Sequence, residues 1–200
     1  MRFLRQKARR GFTAIEAVFA VALLAVIITK VALVMDSASD AYTSESRQAA
    51  LEDQARRVLE RIALAVMGSD REGLNPESFA PTSSNQLTYQ VNLGVQDGQV
   101  VWSDPERITT AGAQAEQVVW FENPGAPAER RVVWANIARP FLEGEFANGV
   151  DDNNNGLVDE SGLSFDIDGS KVAIRLTLSQ PGSEGQELVR TVETEATCRN

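Results

Sequence analysis

From position 12 to position 67 the chain carries neither glycine nor proline, 56 residues in succession. Glycine costs about 1 kcal/mol in a helix interior and proline about 3 kcal/mol. A run this long without either breaker therefore predicts one continuous helix. Its first part is apolar all round. Positions 17–28 hold no polar side chain, Thr29 and Lys30 interrupt, and positions 31–35 resume. From Phe12 to Met35 there are 24 residues, a helix of about 36 Å at roughly 1.5 Å per residue. That exceeds a hydrocarbon core of about 30 Å. The second part changes character. Leu51, Ala55, Val58, Ile62 and Val66 recur at steps of three and four, an apolar stripe. Glu52–Arg56 and Asp53–Arg57 are i,i+4 pairs on the opposite face. Gly68 is the expected stop.

Charge is distributed unevenly. The chain has 19 basic and 28 acidic residues, a net charge of -9. Five of the bases, Arg2, Arg5, Lys7, Arg9 and Arg10, precede Gly11. Beyond them 14 bases face 28 acids, a charge of -14. A basic start followed by an apolar run is a targeting or anchoring pattern. The basic cluster stays on the cytoplasmic side, so the remainder faces outward. Lys30 lies about 27 Å along the axis from Phe12, near the far interface, where its ammonium can reach headgroups. Histidine is absent, which excludes Ser-His and Cys-His nucleophile pairs and histidine metal ligands. The lone Cys198 allows neither an internal disulfide nor a thiolate zinc site. The acidic balance argues against nucleic acid as a partner. A binding, structural or assembly protein is the expectation, and no enzyme.

Glu16 stands out, because a lone carboxylate one turn inside an apolar span is costly and needs a positive partner. The stretch Arg9-Arg10-Gly11-Phe12-Thr13-Ala14-Ile15-Glu16-Ala17, followed by an apolar helix, resembles the class III signal of type IV pilins and type II secretion pseudopilins. The resemblance implies that prepilin peptidase cuts between Gly11 and Phe12 and that the new terminal amine is methylated. Glu16 then becomes the fifth residue of the processed chain. It also implies that Glu16 pairs with the Phe12 amine of a neighbouring subunit and so sets docking. Leaving either charge of such a desolvated pair alone costs several kcal/mol. Where many major pilins carry a kinking proline, this chain has Leu33, so no kink of that origin is expected. An ordinary secretory signal, with Ser37-Ala38-Ser39 as its cleavage site, is the competing reading. Its apolar core would be longer than usual, and it would have no use for Glu16.

After a loop at positions 68–85 the period becomes two. Leu87, Tyr89 and Val91 alternate, and Asp97-Gly98 is a tight-turn signal before Val100-Val101-Trp102. Val118 to Phe121 and Val132 to Trp134 flank a Pro/Gly loop at 123–129. Leu163, Phe165 and Ile167 alternate before Asp168-Gly169, and Val172, Ile174, Leu176 and Leu178 after it. Positions 188–196 read as a last strand. The three tryptophans fall in strand-like runs, which fits core or sheet-face packing. The fold class is therefore α+β: a long N-terminal helix, half transmembrane and half amphipathic, packed on an antiparallel β-sheet, pilin-like. The divisions are a leader at 1–11, a membrane and filament-core helix at 12–35, an amphipathic continuation at 36–67 and a periplasmic β domain at 68–200.

That domain contains an acidic loop at 148–162. Between positions 140 and 170 there are eight acids and no base. Side-chain oxygens at Asp151, Asn153 and Asn155 occupy places 1, 3 and 5 of a calcium loop, with Gly156 at the sharp turn. The Leu157 carbonyl and Asp159 follow at places 7 and 9. This resembles the loops of EF-hands, dockerins and thrombospondin type 3 repeats. Place 12 is Gly162 rather than a bidentate glutamate, so Glu160 or Asp166 would close the shell. With few charged ligands, weak structural calcium binding is expected, roughly 10⁻⁴–10⁻³ M.

Length and strand order are most similar to the J-type minor pseudopilin. That resemblance implies a structural subunit of a pseudopilus tip, joined to I and K types and to other major and minor pseudopilins. It would be assembled on an inner-membrane platform, anchored in the lipid bilayer by one pass, with its C-terminal domain periplasmic. Two alternatives remain: a minor type IV pilin serving adhesion, motility or DNA uptake, and a membrane-anchored calcium-binding domain that does not polymerise.

Overall fold

The computed structural model describes residues 13–76, 82–152, 154, 157–182 and 185–198. They fall into two units, one up to Glu45 and one from Ser46. A single helix, α1, spans Ala14–Gly68. In the first unit its apolar side chains from Ile15 to Met35 are exposed within the chain. Among the described residues this is the one helix long and apolar enough to cross a membrane. Thr29 Oγ1 donates to the Ala25 carbonyl at 2.8 Å, and Thr43 Oγ1 to the Ser39 carbonyl at 2.9 Å. Both hydroxyls are thus satisfied inside the helix.

In the second unit α1 buries Leu51, Ala55, Val58, Leu59, Ile62 and Val66. Five are the residues of the stripe; Leu59 widens it. Each large aliphatic side chain buried here contributes about 1.5–3 kcal/mol. Ser69 closes the helix, its N–H and Oγ both donating to the Val66 carbonyl at 3.1 and 2.7 Å. A single turn of 3₁₀ helix follows at Arg71–Gly73.

Among the described residues ten strands come next: β1 (Thr82–Ser84), β2 (Gln86–Tyr89), β3 (Asn92–Gln96), β4 (Gln99–Trp102), β5 (Glu106–Ala111), β6 (Gln117–Glu122), β7 (Arg130–Ala135), β8 (Leu163–Asp168), β9 (Lys171–Pro181) and β10 (Glu187–Thr197). The expected single sheet is in fact two four-stranded antiparallel sheets, ordered β1-β8-β9-β10 and β2-β5-β6-β7, plus the hairpin β3–β4. The chain changes sheet at Asn85, and local hydrogen bonding shows why. Ser84 Oγ donates to the Gln86 carbonyl at 2.7 Å and accepts its N–H at 3.2 Å, capturing groups a continuous ladder would have used. Two strands lie where a loop or nothing was expected. β1 falls inside the 68–85 loop, and β5 supplies the fully buried Ile108.

The core joins α1 to both sheets. Leu87, Tyr89, Ile108 and Val118 come from one, and Leu163, Phe165, Ile167, Val172, Ile174, Leu176 and Leu178 from the other. Asp97 and Gly98 both have positive φ, 52° and 78°, the type I′ turn that matches strand twist in a two-residue hairpin. The turn between β8 and β9 sits one residue later than its sequence signal, since Asp168 still pairs with Lys171. Trp120 and Trp134 stack with ring centroids 6.4 Å apart against the core. Trp102, on β4, stands outside the core and is half-buried.

Candidate functional site

The helix start is the first place where chemistry concentrates. Glu16 Oε2 accepts the Thr13 N–H at 3.0 Å and the Thr13 hydroxyl at 3.0 Å, while Thr13 Oγ1 accepts the Glu16 N–H at 3.3 Å. This is a reciprocal capping box, Thr-x-x-Glu, satisfying N–H groups that a helix start leaves without partners. The signal was present in the sequence as Thr13-Ala14-Ile15-Glu16. Within the chain, then, Glu16 has a partner of its own. Gly11 and Phe12 lie outside the described residues.

The second place is the acidic segment. It leaves and rejoins the sheet through a narrow neck. Phe141 pairs with Ser161, the Leu142 N–H donates to the Glu160 carbonyl at 3.0 Å, and the Gly162 N–H to the Pro140 carbonyl at 2.9 Å. Gly162 is required there. A Cβ on it would stand 1.8 Å from the Arg139 carbonyl oxygen, a distance no side chain tolerates. Among the described residues no helix flanks the loop.

Of the expected calcium ligands, Asp151, Leu157, Asp159 and Glu160 are described, whereas Asn153 and Asn155, with the turn residue Gly156, lie outside the described residues. Asp159, itself at φ 51°, accepts the N–H groups of Asn148 and Gly149 at 3.1 and 3.0 Å. Asp152 accepts Asn148 Nδ2 at 2.8 Å, and Asn148 Oδ1 accepts the Val150 N–H at 2.8 Å. Asn148 is therefore the hub of this turn, a residue the ligand spacing alone does not single out. Glu160 is buried and meets Arg175 Nη1 at 3.2 Å. Asp166 is bonded to the same nitrogen, and Glu193 to Arg175 Nε at 3.2 Å. Burial lowers the affinity of this guanidinium for its proton, but Asp166, Glu193 and Glu160 together outweigh it and raise its pKa.

A base from β9 thus enters a segment that has none of its own, and it engages both residues expected to close a calcium shell. A cleft of about 230 Å³ opens beside them, lined by Ser83, Asn85, Asp159, Glu160, Ser161 and Ser164. The buried Ser164 Oγ and Asp166 Oδ1 carry no hydrogen-bond partner. These are hard oxygen donors, the class calcium prefers. Among the described residues, however, no group of three or more His, Cys, Asp or Glu stands close enough to hold a metal ion.

A third polar constellation is structural. Tyr89 donates to Glu106 Oε2 at 2.7 Å, and Trp120 Nε1 donates to the same oxygen at 2.7 Å. Burial, reinforced by the Glu106 carboxylate, pushes the Tyr89 phenol far above its ordinary value. The network satisfies polar groups that would be costly to bury alone.

Comparison with models of known protein families, with curated proteins and with solved structures gave no match.

Proposed function

We propose that the chain is a filament subunit of the inner membrane, most similar to a minor pseudopilin of a type II secretion system, released by prepilin peptidase between Gly11 and Phe12. Its role is structural. The observation that carries the reading is the coincidence at one helix start of a basic leader, Gly11-Phe12-Thr13, Glu16 and an apolar run. That run continues as one helix into a domain of antiparallel sheets.

The capping box gives the assembly step a physical form. In a single chain the Glu16 carboxylate takes neutral donors from Thr13. A neighbour's Phe12 amine offers a charge-assisted bond, roughly twice as strong. Docking exchanges one for the other, so a lone subunit has a tolerable ground state and a paired one a better state. The assembly partners are other pseudopilins and the inner-membrane platform, with the globular part in the periplasm.

The intact mass and N-terminal sequence of the protein from membranes of its own host test this. A chain beginning at Phe12 supports it, and Glu16→Ala should then leave cleavage intact while assembly fails. A chain still carrying Met1, or one beginning near Asp40, overturns it and favours an anchored or secreted domain that does not polymerise.

Calcium at Asp151, Asn153, Asn155, the Leu157 carbonyl and Asp159 is a proposal of the same rank, supported by donor chemistry and spacing. Glu160 is held by Arg175 and would be an outer partner. Isothermal titration with calcium chloride should give a Kd of roughly 10⁻⁴–10⁻³ M, lost in Asp151→Ala. No heat at millimolar calcium removes the site.

A further inference from the structure

In the sheet ordered β2-β5-β6-β7, Leu87, Tyr89, Ile108 and Val118 point to the core. The residues between them therefore point outward. The register sets one row of that outer face. Thr88 stands opposite Arg107, Arg107 opposite Phe121, and Phe121 opposite Arg131. Gln86, Thr109, Val119 and Val133 form the next row. The two rows hold two bases and no acid. Arg131 is exposed and bonded to the neutral Gln117. Arg107 lies over the Phe121 ring, 5.4 Å from its centroid. Among the described residues no carboxylate pairs with Arg107, and its buried Nε has no hydrogen-bond partner.

β6 and β7 are apolar on both sides. Val118-Val119-Trp120-Phe121 and Val132-Val133-Trp134 are unbroken apolar runs, the composition of strands covered on both faces. On the inner side Val118 belongs to the core, and Trp120 and Trp134 pack against it. On the outer side Val133 is 44% exposed and Phe121 half-buried. Val119 is fully buried, yet stands outside the core cluster. The other sheet is the contrast. Its outward side chains Ser164, Asp166, Arg175 and Glu193 are polar, and Arg175 pairs with both carboxylates. A sheet face left to water reads polar in this way. The face of Arg107 and Phe121 does not.

We infer that this outer face docks an acidic segment of a different subunit of the assembly, one that carries apolar side chains beside a carboxylate. The inference rests on the filament reading for the presence of such a subunit. Arg107 lies on an interior strand, so its guanidinium marks the middle of the face rather than the rim. Its planar fork of donors takes a carboxylate bidentately. Arginine and aromatic side chains are the types enriched at the centres of protein interfaces. Charge selects the sign of the partner. Beyond the leader the chain carries -14, so an acidic segment is repelled over most of the surface and attracted where two bases meet no acid. The competing account is that Arg107 and Arg131 only shield the apolar side chains of this face from water.

The test uses the full chain in the membranes of its own host. The photo-reactive p-benzoylphenylalanine replaces Val133, on the outer face, or Val132, on the opposite one, and the membranes are illuminated. An adduct is expected from Val133 with a protein other than this chain, and the attached peptide should carry Asp or Glu. Val132 should give several-fold less. Arg107→Gln should cut the Val133 yield about tenfold. Arg107→Glu should abolish it, and changing the acid of the captured peptide to Lys should then restore it. Arg131→Gln, at an exposed position, should cut the yield about threefold and decides the matter should the Arg107 variants fold poorly. The inference is overturned by no adduct from Val133, by an adduct only with another copy of this chain, or by a captured peptide without an acid. It is equally overturned by equal yields from Val132 and Val133, or by a yield that neither Arg107→Gln nor Arg131→Gln lowers. The N-terminus is sequenced in the same samples. A chain not starting at Phe12 sinks the filament reading, while the adduct and its charge dependence still decide the face.

Discussion

The two parts of α1 are built from the same backbone geometry and solve opposite problems. From Ser46 onward the helix has a polar face, carrying Glu52, Arg56, Asp53 and Arg57 in i,i+4 pairs, and an apolar face that the sheets cover completely. Before Glu45 it has no such division. Val18, Phe19, Val21, Leu24 and Ile27 are spread right round the helix at about 100° per residue, and each is more than half exposed within the chain. A helix apolar all round belongs in a lipid or protein interior. What the second part finds in its own chain, the first part must find outside it.

Three substitutions sharpen that contrast. The largest effect is expected at the buried stripe. Ile62→Ala should lower the stability of the globular part by about 2–5 kcal/mol, read from urea unfolding by tryptophan fluorescence. Ile27→Ala should leave the same curve within about 0.5 kcal/mol. Equal losses from the two would break the comparison. Next comes the reverse experiment. Ile27→Asp should disfavour membrane insertion by about 3 kcal/mol, seen as protein lost from the carbonate-resistant membrane fraction. A soluble domain with unchanged urea unfolding should remain.

The smallest effect lies in the sheet under the buried half. The phenol of Tyr89 is shifted upward by burial and by Glu106, so the folded state holds that proton more tightly than the unfolded one. The stability this provides is fully present below pH 10, the ordinary tyrosine value. It declines as pH rises past 10, by at most about 1.4 kcal/mol per pH unit. Tyr89→Phe should flatten that alkaline slope. A slope that survives the substitution assigns it to another group.

The helix was almost wholly legible in the sequence, because an absence of breakers over 56 residues is hard to satisfy any other way. The alternating strands with several large apolar residues were legible too. β5 was not, since Glu106-Arg107-Ile108-Thr109-Thr110-Ala111 offers one large aliphatic side chain, too few to set a period. The division into two sheets was hidden for a related reason. It depends on Ser84 capturing two backbone groups of Gln86, and a lone serine in a polar stretch carries no such mark. At the site, the carboxylates could be located by spacing. The charge that neutralises Glu160 and Asp166 could not, because Arg175 reaches them only through the pairing of β8 with β9. Glu16 was read for its charge in a membrane, and its second role followed from the threonine three places before it.

The narrow neck at Pro140 and Gly162 has an engineering meaning. Both ends of the acidic segment are fastened at one point of the sheet, so what lies between them is a module with its own boundary. The entropy of closing such a loop grows only with the logarithm of its length. The part between Glu145 and Asp159 can therefore be shortened, extended or exchanged at little cost to the strands beneath, provided Gly162 and the buried Leu142, Glu145 and Glu160 stay. It is the natural place to graft an epitope or a fluorophore onto this chain, and the natural place for relatives to differ in length.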